Sequence, residues 1–317
     1  MKLQRLAPAF AAVGLLAATA ASDPAAATGT ADPKPHFSEK VTNPQSVRAL
    51  AVSEACQIWI GVPTAAGTMQ EIDATAGKPP AGFSWDPFNY VSTRANATWY
   101  LAQNATGTQL YFYGLLLQGA NLYRHTTYLP DEGNPVPTFK KVGPGWSTFK
   151  AIATSNYSVA QPRHAYLYGL NTNGSLYRYQ MVGTGFRSLG PLPGFRGFKA
   201  MTVISETATY DTLLMTTTAG ALYSVRIPVA AGAKPVLKLI RSTGWAAYES
   251  LVVEGCGTRG GSLVAGVDHN TQSGYLYAMS KANGAATAIT SYGKIPGVFN
   301  GVNHVSLTTH YDQLVGE

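Results

Sequence analysis

The sequence predicts an all-β fold, a five-bladed β-propeller of four-stranded antiparallel blades, and three observations predict it. An aromatic pair spaced by three recurs at Trp85/Phe88, Trp146/Phe149, Phe195/Phe198 and Trp245/Tyr248, with a weaker copy near Val298 to Val302. The starts lie 61, 49, 50 and 53 residues apart, a period that belongs to propeller blades. A Leu-Tyr pair follows in each unit, at Leu122/Tyr123, Leu176/Tyr177, Leu222/Tyr223 and Leu276/Tyr277, with Met69 as the first unit's counterpart.

Each unit resolves into four strands. The aromatic pair runs into an inner strand, read as FNYVST, FKAIAT, FKAMTV, YESLVV and VNHVSL. A short apolar strand comes next: QIWIG from Gln57, QLYFYG from Gln109, AYLYG from Ala165, TLLMT from Thr212 and SLVAG from Ser262. The Leu-Tyr strand follows a Gly or Asn turn, as a hairpin requires. A less regular strand, such as TFKKV from Thr138 or VLKLI from Val236, completes the unit. A sheet that is apolar on both faces must stack on its neighbours, so a closed ring is expected. The Trp and Phe of the pair suit the wedge between blades, and Ala, Ser and Thr suit the crowded axis. At the ends, VRALAVSE from Val47 reads as a further inner strand, and YDQLVG from Tyr311 resembles YDTLLM from Tyr210. Six blades with shared termini are therefore the alternative to five.

Ahead of the repeats, Lys2 and Arg5 precede an uncharged Ala/Leu-rich run and then small residues. That is the pattern of a signal peptide, placed at residues 1–21. Residues 22–45 are rich in Ala and Pro without apolar periodicity and read as a flexible arm, which leaves 46–317 as the propeller domain. The expected location is secreted and extracellular, without integral membrane association, because no apolar stretch reaches the roughly 20 residues of a spanning helix. The 23 basic and 16 acidic residues give +7, or about +5 without Lys2 and Arg5. With no Lys/Arg run that would track a phosphate backbone, nucleic acid is not an expected partner.

Cys56 and Cys256 each stand two residues after a glutamate, at equivalent places in the first and fifth units. Those units are neighbours in a five-blade ring, so a disulfide is expected to clasp it across its seam.

The combination W-x-x-F-K, x-L-Y-G and L-Y-R, seen in GWSTFKAIATSN from Gly145, AYLYGL from Ala165 and SLYRYQ from Ser175, resembles the tachylectin-type five-bladed propellers. From about Val47 onward the resemblance covers nearly the whole chain. It implies a lectin for N-acetylated sugars with one shallow site per blade, without metal or catalysis. The chain departs from that family in the joins between first and second strands, where SNYSVAQPRHA and EGCGTRGG replace a short Asp/Asn-Gly turn. Equivalent sites in every blade are therefore not implied.

Chemistry of other kinds has little to stand on. His36, His125, His164, His269, His304 and His310 show no metal-ligand spacing, and His125 and His269 read as solvent-exposed loop residues. No GxSxG elbow, phosphate loop or HExxH run occurs. The expectation is no enzyme, no cofactor and no metal. The candidate ligand-binding residues are Asn121, Tyr123, Arg124, Asn171, Asn173, Tyr177 and Arg178, because planar hydrogen-bonding groups beside aromatic faces suit sugars. The expected partners are glycans or a secreted protein. A second reading makes the chain a non-enzymatic adaptor docking through its arm or a propeller face.

Overall fold

A computed structural model describes residues 56–104, 109–130, 133–256 and 261–307. The signal peptide, the arm, VRALAVSE, YDQLVG, His36 and His310 lie outside the described residues.

The chain forms five antiparallel blades. Blade 1 holds β1 (Gln57–Pro63), β2 (Thr68–Thr75), β3 (Ala81–Ser84) and the short β4 (Phe88–Asn89). Blade 2 holds β5 (Ala95–Gln103), β6 (Leu110–Gln118), β7 (Asn121–Leu129) and β8 (Val136–Pro144). Blade 3 is β9 (Phe149–Tyr157), β10 (His164–Asn171), β11 (Ser175–Val182) and β12 (Gly185–Pro193). Blade 4 is β13 (Phe198–Glu206), β14 (Tyr210–Thr217), β15 (Leu222–Pro228) and β16 (Val236–Arg241). Blade 5 is β17 (Ser250–Cys256), β18 (Gly261–Asp268), β19 (Ser273–Met279) and β20 (Ile289–Lys294). The last strand, β21 (Val305–Ser306), returns to blade 1 as its inner strand, pairing Gly61 with Val305 and Ile60 with Ser306. VNHVSL thus closes the ring at five blades.

The wedges between blades fill as the aromatic pattern predicts. Trp146 and Phe149 pack against Leu115, Leu117 and Leu122 of blade 2, and Trp245 and Tyr248 against Leu214 and Leu222 of blade 4. Each such side chain contributes about 1.5–3 kcal/mol by leaving water. The glycine of the Y-G sequence is part of this packing: a Cβ on Gly169 would lie 2.6 Å from the Phe149 ring.

One phase is corrected. Phe88 does not begin the inner strand of blade 2; it sits in β4, paired with Met69 on the outer side of blade 1. Trp85 is half exposed, with its indole N–H on Asp73 Oδ2 at 3.0 Å. The wedge position belongs to Tyr90, whose N–H donates to Gly67 O at 2.8 Å. Trp146 does the same to Ala120 O, Phe195 to Gly174 O, Trp245 to Gly220 O and Ile295 to Gly274 O. Local aromatic content misled the pattern because Trp85 follows the exposed outer strand β3 and packs edge to face on Phe83, outside the wedge.

The expected disulfide is present. Cys56, just before β1, and Cys256, at the end of β17, are bonded across the junction of blades 1 and 5 with Cα atoms 5.4 Å apart. His125 is a second correction: it lies inside β7, 7% exposed, between Tyr90 and Phe139. Strand alternation, which turns every second residue of β7 inward, overrides its polar neighbour Arg124.

Blades 3 and 4 share a buried polar knot. Asp211, fully inaccessible, accepts from Ser155 Oγ at 2.6 Å and Tyr168 O–H at 2.7 Å, and its other oxygen lies 2.8 Å from His164 Nε2. Removing one partner of a buried pair strands the others. Asp211→Ala is therefore expected to cost about 3–5 kcal/mol of stability, to be read from urea unfolding. A loss under about 1 kcal/mol would mean that the knot merely fills space.

Candidate functional site

One face of the ring carries both the hairpin turns between second and third strands and the starts of the inner strands. The turns need a residue at positive φ, and glycine supplies it at Gly67 (82°), Gly174 (89°) and Gly220 (89°). The wedge-residue bonds to the turn carbonyls tie each turn to the entry of the next blade. The seven candidate residues belong to blades 2 and 3.

On blade 3, Asn171, Asn173 and Tyr177 come together. Asn171 is buried; its Oδ1 accepts the Asn173 N–H at 3.0 Å and its Nδ2 donates to Thr148 Oγ1 at 2.8 Å. The exposed Asn173 donates from Nδ2 to the Tyr177 hydroxyl at 3.1 Å and accepts the Ser175 N–H on Oδ1 at 2.9 Å. Tyr177 stacks toward Tyr179 and meets Phe149 edge on. The result is an exposed carboxamide held against a phenol by its own turn.

The two arginines are placed elsewhere. Neighbouring residues of a strand point to opposite faces, so Arg178 turns away from Tyr177. It is buried over the Tyr166 ring, with Nη1 donating to Pro228 O of blade 4 at 2.5 Å. Arg124 lies between Trp99 and Phe186 and donates to Gly183 O at 3.3 Å, so it joins blades 2 and 3. Tyr123 packs with Met69, Tyr90 and Leu116, and Asn121 opens β7 opposite Gln118.

Around the axis on the same face, a ring of side chains forms that sequence reasoning missed. Arg94 donates to Phe149 O and Trp146 O at 2.8 Å each, Lys150 to Phe198 O at 2.5 Å, and Asn303 to Thr93 O at 2.7 Å. Lys199 reaches Ala246 O and pairs with Glu249 at 3.1 Å. Each of these reaches forward to the next blade. Glu249 instead accepts the His269 N–H of its own blade at 3.1 Å. The signal was in the sequence, since each of the five stands directly after the residue three beyond the wedge or near it, as in the F-K of the repeat. Burial lowers the pKa values of Arg94 and Lys150.

Below this ring lies a cavity of about 310 Å³ along the axis. At its rim Ser250 Oγ is 2.9 Å from His269 Nε2, and the His269 and His304 rings are 5.2 Å apart. His269 is only half-buried and sits at the β18–β19 turn; burial lowers its pKa, with Glu249 and Asp268 opposing. Among the described residues no group of three or more His, Cys, Asp or Glu is placed to hold a metal ion, and no helix is long and apolar enough to cross a membrane.

Fold and site together define a five-bladed β-propeller with a turn-bearing face and an axial cavity. No family model and no curated protein matches the sequence. Among solved structures, a mutant of the Aleuria aurantia lectin in complex with Fucα1-6GlcNAc matches at TM-score 0.41 and 12% identity, covering 77% of this chain and 79% of that one. A mutant of AofleA from Arthrobotrys oligospora matches at TM-score 0.39 and 15% identity, covering 78% of each chain. Likeness of this degree says nothing about what this chain binds.

Proposed function

We propose that this chain is an exported, non-enzymatic carbohydrate-binding propeller of tachylectin type, which recognises N-acetylated glycans on its turn face. The observation that carries the reading is the Asn173 carboxamide, exposed and oriented by the Tyr177 hydroxyl at 3.1 Å. A planar donor and acceptor beside an aromatic edge is what an acetamido group and its neighbouring hydroxyl require. Residues 1–21 act as the leader and the Cys56–Cys256 bond forms in an oxidising space. Avidity is limited, because blades 1, 2, 4 and 5 lack the paired asparagines of blade 3.

Titration with N-acetylglucosamine, alongside a glycan array, tests the reading. Asn173→Ala is expected to weaken binding about tenfold, the equivalent of one hydrogen bond, with an unchanged melting temperature. Absence of binding to every N-acetylated glycan at high protein concentration sinks it.

One observation favours the adaptor reading. On the outermost strand β16, Val236, Leu237 and Leu239 are 49%, 43% and 41% exposed, an apolar patch that a partner protein can cover. Co-purification of a secreted protein, lost on deleting residues 22–45 or on Leu237→Lys, would support it.

A further inference from the structure

The axial cavity holds more unsatisfied polarity than a packing void would. Asn96 Oδ1, Ser205 Oγ, Asn303 Oδ1 and both ring nitrogens of His304 have no partner among the described residues. The four residues are among those that line the cavity, each at most 8% exposed, and the unmet atoms themselves are buried behind its wall, within reach of a side-chain turn. A buried polar group left unmet costs about 1–3 kcal/mol, so an apolar occupant would fit poorly.

The rim adds a sign. Arg94, Lys150 and Lys199 stand there beside Glu249, while the other carboxylate of the lining, Glu206, ends β13 away from Lys199 and accepts the Asn156 N–H. Lys150 spends one of its three N–H donors on Phe198 O, which leaves donors for a ligand, and its partial burial strengthens a charge-assisted bond. Deeper, Ala151, Ile152 and Met201 make an apolar wall. The volume stands at the small end of the roughly 300–1,000 Å³ of ligand pockets, which limits the occupant to about one ring.

We propose that this cavity is a second ligand site, separate from the blade 3 turn, that takes a one-ring sugar acid. Its carboxylate meets the Arg94–Lys150–Lys199 rim, its hydroxyls meet Asn303, His304 and Ser205, and its carbon face lies on Ile152 and Met201. The site does not depend on the turn-face reading, since it uses none of the same residues.

Titration of the full chain with D-glucuronate, followed by calorimetry, tests it, with D-glucose and N-acetylglucosamine as controls. One-to-one binding of glucuronate is expected, at least tenfold tighter than glucose and weakened by salt. Lys150→Met, which keeps the stem and removes the charge, is expected to weaken glucuronate at least tenfold. Because that change also cuts a link to blade 4, Thr202→Phe serves as a second variant that narrows the cavity from a half-buried lining position. It is expected to abolish glucuronate binding with the thermal melt unchanged, while Asn173→Ala leaves glucuronate binding intact. Equal affinity for glucose, undiminished binding in both cavity variants, or no binding at tens of millimolar glucuronate would overturn the proposal and leave a channel that holds water.

Discussion

Replacing Cys56 and Cys256 with serine is expected to lower the unfolding free energy by about 5 kcal/mol. The bond closes a loop of 200 residues, and in the chain-entropy description the denatured ensemble then loses roughly 18 cal/mol/K of freedom. For a domain of this size that corresponds to a fall in melting temperature of about 10–20 °C. The measurement is a thermal melt of wild type with and without reductant beside the double serine variant. Agreement between the reduced protein and the variant is expected. A drop of less than about 3 °C, smaller than 1 kcal/mol would give, would show that β21 pairing alone holds the seam.

Acid is expected to destabilise the propeller well before its carboxylates are neutralised. Burial holds His125 down to about 4, and burial with a contribution from His269 holds His304 down to about 3. Around His125 stand Tyr90 and Phe139; around His304 stand His269 and Phe299. An unfolded histidine takes its proton near 6.5. Above that value both states are neutral and stability is unaffected. As pH falls below it the unfolded chain binds protons that the folded chain refuses, so stability drops by about 1.4 kcal/mol per pH unit for each residue. The loss continues until each folded value is reached, and by pH 4.5 the two together remove on the order of 5 kcal/mol. Urea midpoints between pH 7 and 4.5 read this directly. His125→Gln should halve the slope, and a flat profile would mean that the imidazoles are charged in the folded state.

Propeller architecture was legible because packing repeats. The Leu-Tyr strands, the wedge residues Trp146, Phe195 and Trp245, and the equivalence of Cys56 with Cys256 all follow from a unit that must bury the same surfaces each time. The first unit was misphased because Trp85 and Phe88 satisfy the aromatic pattern while Trp85 stands half in solvent and Phe88 pairs on blade 1; the backbone bond from Tyr90 to Gly67 O, which sets the true phase, leaves no mark on composition. The Asp211 knot was hidden for a different reason. Its partners Ser155, His164 and Tyr168 come from two strands of another blade, and only the ring brings them to it. Of the candidate site, the Asn171–Asn173–Tyr177 turn is local and readable, whereas Arg178 looked available until β15 placed Pro228 against it. The lysines of the axial ring were visible as F-K, but their purpose depends on a neighbour that sequence spacing does not supply.

The forward reach of Asn303, Arg94, Lys150 and Lys199 gives the ring a polarity. Blade 1 holds blade 2, blade 2 holds blade 3, and so on to blade 5, where Glu249 folds back on its own blade. A head and a tail remain, and the pairing of β21 with β1 and the covalent bond together join them. The circle is thus closed twice, once by strand pairing and once by a bond that only oxidising surroundings sustain.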